Sequence, residues 1–165
     1  MTANGPQNLV IPINHHKNEG KSLYDHNAEI NYSQNWKIKH WKSLQNAYRS
    51  SPFFEFYEED FRKVFLADEK LLYRFNIEII SLINKVLGLK KEIKISKRKI
   101  THDKYDKRLI DIKKNFFYDI PEYNQVFMSK FKFTPNLTIL DLLFNLGPKS
   151  INYIINLKLS QSHNN

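Results

Sequence analysis

The stretch from Trp36 to Tyr57, WKIKHWKSLQNAYRSSPFFEFY, contains a helix, its stop and the opening of a second helix. Trp36, His40, Leu44, Ala47 and Tyr48 recur at helical spacing, and Trp41 widens that apolar stripe. Lys39, Lys42, Asn46 and Arg49 are left to face water, and Asn35 stands where an N-cap belongs. Ser50-Ser51-Pro52 ends the helix, because a residue before proline is pushed out of the helical region. Ser51-Pro52 then opens a short helix bearing Phe53, Phe54, Phe56 and Tyr57. A distant stretch, Pro135 to Pro148 (PNLTILDLLFNLGP), repeats the combination of apolar run, polar group and helix stop. Ile139 to Phe144 reads as a short helix ending near Gly147, and Pro148 opens a last helix with Ile151, Ile154, Ile155 and Leu157.

Between these stretches, the periodicity predicts the longest helix from Asp68 to Leu87. Leu71, Leu72, Phe75, Ile79, Leu82, Ile83 and Val86 form its continuous stripe. Asp68 and Glu69 suit its positive end, Lys85 and Lys90 its negative end, and Gly88 supplies a left-handed stop. Gln7 to Ile13, Glu29 to Tyr32, Glu92 to Ile95 and Tyr123 to Phe133 read as strands, with Pro12 confining the first to an edge or strand end. Helices separated by short strand-like runs predict an α/β class: a helix-rich single domain around a small mixed sheet, forming an incomplete three-layer fold.

A length of 165 residues matches one domain, and apolar residues at 41% with aromatics at 14% supply a core. Disorder is expected only at the ends, where the tail SQSHNN should fray. Without cysteine there are no disulfides, thiolate nucleophiles or cysteine zinc sites, which suits a reducing compartment. MTANGPQ has neither the basic start nor the apolar core of a secretory signal. The most apolar stretch, Ile77 to Leu89, is broken by Glu78, Asn84 and Lys85, so no membrane span is expected. The net charge of +9 comes from 21 lysines and 5 arginines against 17 acids. Abundant Lys, Asn and Ile fit an AT-rich gene, and phosphate forks would favour arginine. The most basic segment, Lys97 to Lys114, interleaves KRK and KYDKR with Tyr105. It offers a non-enzymatic alternative, a nucleic-acid-binding module working by stacking and charge. Asp103, Asp106 and Asp111 dilute its field and favour a solvated surface instead.

Few side chains carry candidate chemistry. His40, one turn after Trp36, is suited to a general base or a donor to phosphate, or to a hydrogen-bonded place in the core. Glu55, Glu58, Glu59 and Asp60 lie among rings; Glu55, between Phe54 and Phe56, is expected to be partly buried, the rest to form a solvated acidic face. Asp141 sits in so apolar a run that its carboxylate needs a partner, as a cap, an ion pair or an orienting group. Asn136 and Asn145 are suited to holding turns nearby. His15, His16 and His26 lack a metal-ligand spacing, so no metal site is expected. No glycine-rich phosphate loop or Ser-His-Asp pattern is present.

The two quoted stretches, with Gly5, Pro6, Ile11 and Pro12 ahead of them, resemble the WbqC-like family. The strongest matches are Trp36, His40, Ser43, Leu44, Ala47, Tyr48, Pro52, Phe53 and Phe54. At the far end they include Pro135, Leu140, Asp141, Phe144, Asn145, Gly147 and Pro148. The likeness is poor between Glu92 and Glu122, where this chain looks shortened. It implies a family domain over residues 1–158 and a disordered tail over 159–165. Relatives begin with a further segment rich in Pro, Tyr and Phe and an Asn-Arg pair, so the resemblance implies an N-terminally truncated domain, through a late start codon or a lost piece of sheet. It also implies a cytoplasmic transferase of O-antigen or surface-polysaccharide biosynthesis, transferring glycine or another aminoacyl group. Its partner would be an activated sugar or aminoacyl donor. The cofactor and the catalytic residues do not carry over. The residues themselves suggest a pocket of His40, Trp41, Tyr48, Asp141 and Asn145. In it His40 is base or phosphate donor, Asp141 orients, and Trp41, Tyr48 and Asn145 bind substrate. A last alternative is self-association through the Phe53 to Phe65 surface.

Overall fold

Helix α1 spans Trp36–Tyr48, and its buried face is Trp36, His40, Trp41, Leu44, Ala47 and Tyr48, the predicted stripe. The structure, a computed structural model, describes residues 1–14, 28–95 and 120–157. Asn35 occupies the N-cap position of α1 without a side-chain cap bond. A turn closed by the Ser51 amide and hydroxyl on the Tyr48 carbonyl (2.8 and 2.6 Å) leads into α2, Phe54–Leu66. That helix is a full 13 residues rather than a short one. Phe54, Phe61 and Phe65 carry its apolar face past the acidic run of Glu58, Glu59 and Asp60. Lys37 reaches across from α1 and donates to the Leu66 and Ala67 carbonyls (3.2 and 2.9 Å), satisfying groups that the end of α2 leaves unpaired.

Helix α3 covers Leu72–Val86, starting four residues later than the periodicity predicts, because Leu71 is extended and bridges Glu29. Gly88 ends it at φ 69°. The Gly88 amide reaches Lys85 and the Leu89 amide reaches Asn84, the paired bonds of a glycine C-cap. Farther on come the single turn α4 (Met128–Phe131), α5 (Ile139–Leu146), a 3₁₀ turn at Gly147–Lys149 and α6 (Ser150–Ile155). Pro148 lies in the first turn of this last pair, as its fixed φ favours.

The expected small mixed sheet and three-layer arrangement are not formed: among the described residues there is no strand, only isolated bridges at Thr2–Gly5, Ile13–Ile30 and Glu29–Leu71. The extended segments do meet, since the Asn14 and Asn31 amides bond to Glu29 and Pro12, and the Ile30 and Leu72 amides to Lys70 and Ala28. Each meeting lasts one residue pair. Pro12 has no N–H to continue the first ladder, and α3 begins at once after the second. Residues 92–95 stay unpaired by any bridge, and 123–133 folds into a bend and α4 instead of a strand. The described residues are therefore helices joined by extended connections.

Its interior is a chain of rings. Phe75 meets Trp36 and Phe65 edge-on (5.9 and 6.1 Å), and Trp41 lies between Phe65 and Phe54 (6.1 and 6.3 Å). Phe144 of α5 takes Tyr48, Phe54 and Phe61 around it at 5.1, 5.1 and 5.5 Å. Each such pair adds about 0.5–1.5 kcal/mol beyond burial. Phe144 thus docks α5 on the far ends of α1 and α2, and the Phe53 amide donates to its carbonyl (3.0 Å). Gly147 follows at φ 53°, where its missing Cβ leaves room for the Phe53 ring.

Candidate functional site

Helix α5 begins at Thr138, whose hydroxyl accepts the Leu140 amide (3.1 Å). This cap sets Asp141 in the first turn, where the helix dipole favours a carboxylate. Asp141 is 1% exposed. Its Oδ2 accepts from the Tyr123 hydroxyl at 2.8 Å and from Gln125 Nε2 at 3.1 Å, and the Tyr48 hydroxyl interacts with the same carboxylate. The partner that so apolar a run requires is a set of neutral donors rather than a cation. Donors of this kind offset the cost of taking the charge out of water. Burial, and then the neighbouring negative charge of Asp141, hold the phenols of Tyr48 and Tyr123 well above their ordinary pKa, so both stay protonated as donors. Asn145, one turn on, donates from Nδ2 to the Asp141 carbonyl at 2.8 Å.

Gln125 extends the network. Its Nε2 also donates to the Thr134 carbonyl and its Oε1 accepts the Thr134 amide, both at 2.9 Å. One side-chain amide thereby closes the loop around α4. Tyr153 of α6 donates to the Pro121 carbonyl, and its ring meets Tyr123 edge-on at 5.3 Å. Segment 121–126 is thus strapped to α5 and α6, and it forms one wall of an open cleft of about 670 Å³. The cleft is lined on that wall by Glu122, Tyr123, Asn124, Gln125 and Val126. The α1–α2 turn contributes Ser50 and Pro52, and the end of the chain contributes Asn145, Leu146, Lys149 and Tyr153.

Of the five residues expected to share a pocket, Tyr48, Asp141 and Asn145 come together at this end of the molecule. His40 lies eight residues back along α1, roughly 12 Å at 1.5 Å per residue. It is 8% exposed, packs edge-on against Trp36 at 5.2 Å and bonds to the backbone of Val10. Burial lowers its pKa, partly opposed by that bond, which keeps the imidazole neutral near pH 7. Trp41 stacks on Phe54 inside the core. Tyr48 is 3% exposed behind the cleft wall, with its ring on Phe144.

Glu55 is exposed rather than partly buried, since it falls on the outer side of α2 beside Phe56. Glu58 accepts from Gln45 (2.8 Å), Glu59 pairs with Arg62 (2.9 Å) and Asp60 with Lys85 (3.3 Å), as a solvated acidic face would. The basic segment Lys97 to Lys114, the histidines 15, 16 and 26, and the tail 159–165 lie outside the described residues. Among the described residues no group of three or more acidic, histidine or cysteine side chains is placed to hold a metal, and no helix is long and apolar enough to cross a membrane.

Sequence reasoning did not single out Tyr123, Gln125, Lys149 or Tyr153. A signal for two of them was present: in extended chain, residues two apart share a face, so Tyr123 and Gln125 can offer donors to one acceptor. The model of the WbqC-like protein family matches residues 1–119 and, in a second segment, residues 96–153. No curated protein and no solved structure matches the chain.

Proposed function

The chain belongs to the WbqC-like protein family, and from that premise we propose that it is a transferase of O-antigen or surface-polysaccharide biosynthesis. It carries glycine or another aminoacyl group from an activated donor to a sugar precursor, in the cytoplasm. A hydroxyl or amine of the sugar adds to the aminoacyl carbonyl. The donor's leaving group departs with its electron pair, and the nucleophile's proton passes to solvent. The cleft beside Tyr123 and Asn145 is the substrate site, with Lys149 facing the anionic part of a substrate. Asp141 acts through Tyr123 and Gln125 as a positioning residue for the cleft wall.

The observation that supports this reading is the buried Asp141, held by two side-chain donors that belong to the wall of an open polar cleft. Structural ion sites alone would not require that the donors also line a cavity. No step is placed on His40; its bond to Val10 and its contact with Trp36 fit the role of fastening the N-terminal segment to α1.

Surface polysaccharide from a strain deleted for this chain, analysed by mass spectrometry, tests the reading. The repeat unit should lack an aminoacyl substituent that the wild-type gene restores and Lys149→Gln restores poorly. A repeat unit unchanged by the deletion would refute it.

A further inference from the structure

The hydrogen-bonding state of the cleft side chains limits what they can bind. Gln125 is saturated by Thr134 and Asp141, and the Tyr123 and Tyr153 hydroxyls are tied to Asp141 and Pro121. The two phenol rings therefore stand fixed, 5.3 Å apart and 78° to one another, as apolar surfaces whose polar tips point elsewhere. Asn145 keeps its Oδ1 free of the bond that Nδ2 makes. Among the described residues the side chains of Glu122, Asn124 and Lys149 have no partner. The cleft thus offers a rigid aromatic corner, an amide and an amide oxygen, one carboxylate and one ammonium.

These groups exclude several ligand classes. A polyanion would meet a single lysine opposed by Glu122. An acyl chain would find only Pro52, Val126 and Leu146 as aliphatic lining. A hydroxyl-rich ring with one anionic substituent matches every group: its C–H face lies on the rings, its hydroxyls meet the amides and carboxylate, and its anion meets the ammonium. We infer that this cleft binds the sugar end of a glycosyl phosphate, with the ring on the Tyr123–Tyr153 corner, the hydroxyls at Asn124, Asn145 and Glu122, and the phosphate at Lys149. The inference rests on the transferase reading only in taking the cleft as that reading's substrate site.

Calorimetry and saturation-transfer NMR on the whole chain test it. The probes are the α-1-phosphates of glucose, galactose and N-acetylglucosamine, the three parent sugars, inorganic phosphate and glycine. At least one sugar phosphate should bind saturably, about tenfold tighter than its parent sugar and than inorganic phosphate, as one charge-assisted bond supplies. Lys149→Gln, on an exposed side chain, should remove that tenfold preference. Tyr153→Leu should abolish sugar-proton saturation, while Tyr153→Phe, which keeps the ring, should hold affinity within about threefold. The inference is overturned if no sugar phosphate binds, if parent sugar binds equally well, if Lys149→Gln binds unchanged, or if glycine alone occupies the cleft. That failure is separable from failure of the transferase reading. Loss of the aminoacyl substituent in the deleted strain without sugar-phosphate binding removes only the ligand. Binding without any change in the polysaccharide removes only the reaction.

Discussion

Replacing Gly147 by alanine tests the joint between α5, α6 and the α1–α2 turn. Gly147 has φ 53° and ψ −126°, a conformation that a side chain resists at a cost of about 1–3 kcal/mol. An added Cβ would also lie 2.7 Å from Cε1 of Phe53 and closer still to its Cγ and Cδ1. The ring cannot simply retreat, because the Phe53 amide is bonded to the Phe144 carbonyl and its ring rests on Phe56 at 6.1 Å. Overpacking of this kind costs about another 1–3 kcal/mol. Alanine restrains the unfolded chain and returns roughly 0.4–1 kcal/mol. The net loss for Gly147→Ala is then about 1–6 kcal/mol.

Gly88 provides the control. It too has positive φ, 69°, but nothing lies within 4 Å of its Cβ position, so Gly88→Ala should cost about 1 kcal/mol. Urea unfolding followed by the fluorescence of the two buried tryptophans reads both midpoints, with the slope unchanged. In a Phe53→Ala background the Gly147→Ala cost should fall by about 1–3 kcal/mol, since only the steric part depends on the ring. Equal losses at the two glycines, or an undiminished loss without the Phe53 ring, would refute the packing assigned to this joint.

Three further outcomes follow from titratable and polar groups in the interior. Tyr48 and Tyr123 keep their protons after the unfolded chain has lost them near pH 10.0, so stability is full below that pH and falls as pH rises further; phenylalanine at either position should flatten the alkaline slope of the urea midpoint. His40 runs the other way. Its pKa is lowered, so its contribution is present above 6.5 and is lost as pH falls through the folded value, and His40→Gln should make the midpoint less acid-sensitive below pH 6.5. Asp141→Leu leaves the Tyr123 hydroxyl and Gln125 Nε2 without their shared acceptor, at about 1–3 kcal/mol each, and adding Tyr123→Phe should recover part of that loss in the same unfolding assay.

Much of the helical layout was legible because it depends on local chemistry. The stripe from Trp36 to Tyr48, the Gly88 stop and the Pro148 start are each set by a few neighbouring residues. The length of α2 was not, since Glu58, Glu59 and Asp60 interrupt an apolar pattern carried by Phe54, Phe61 and Phe65. The strand readings misled for a different reason. An apolar run such as Gln7 to Ile13 marks extended chain but does not say whether a neighbour will pair along its length, and Pro12 limits the pairing to one bridge. At the site, the need of Asp141 for a partner could be read from its apolar surroundings. The identity of that partner could not, because Tyr123 and Gln125 reach it from 18 and 16 residues away through tertiary folding.

A leucine at position 141 would bury as much surface and demand nothing of its neighbours; the carboxylate demands donors in fixed directions. An arrangement of segment 121–134 that moved Tyr123 or Gln125 off Oδ2 would leave a buried charge under-solvated, at a cost of several kcal/mol. The penalty falls on misplacement more than the pairing adds to stability, so the expected effect of Asp141 is to select one position of the cleft wall. Gln125 reinforces that choice by binding Thr134 with both ends of its amide, so the strap cannot slide without breaking bonds at α5 and within itself. Tyr123 then holds its ring against Tyr153. A ligand that lies on those rings need not order them on binding, which lowers the entropic cost of capture. The buried carboxylate therefore fixes the position of the cleft wall without itself lining the cleft.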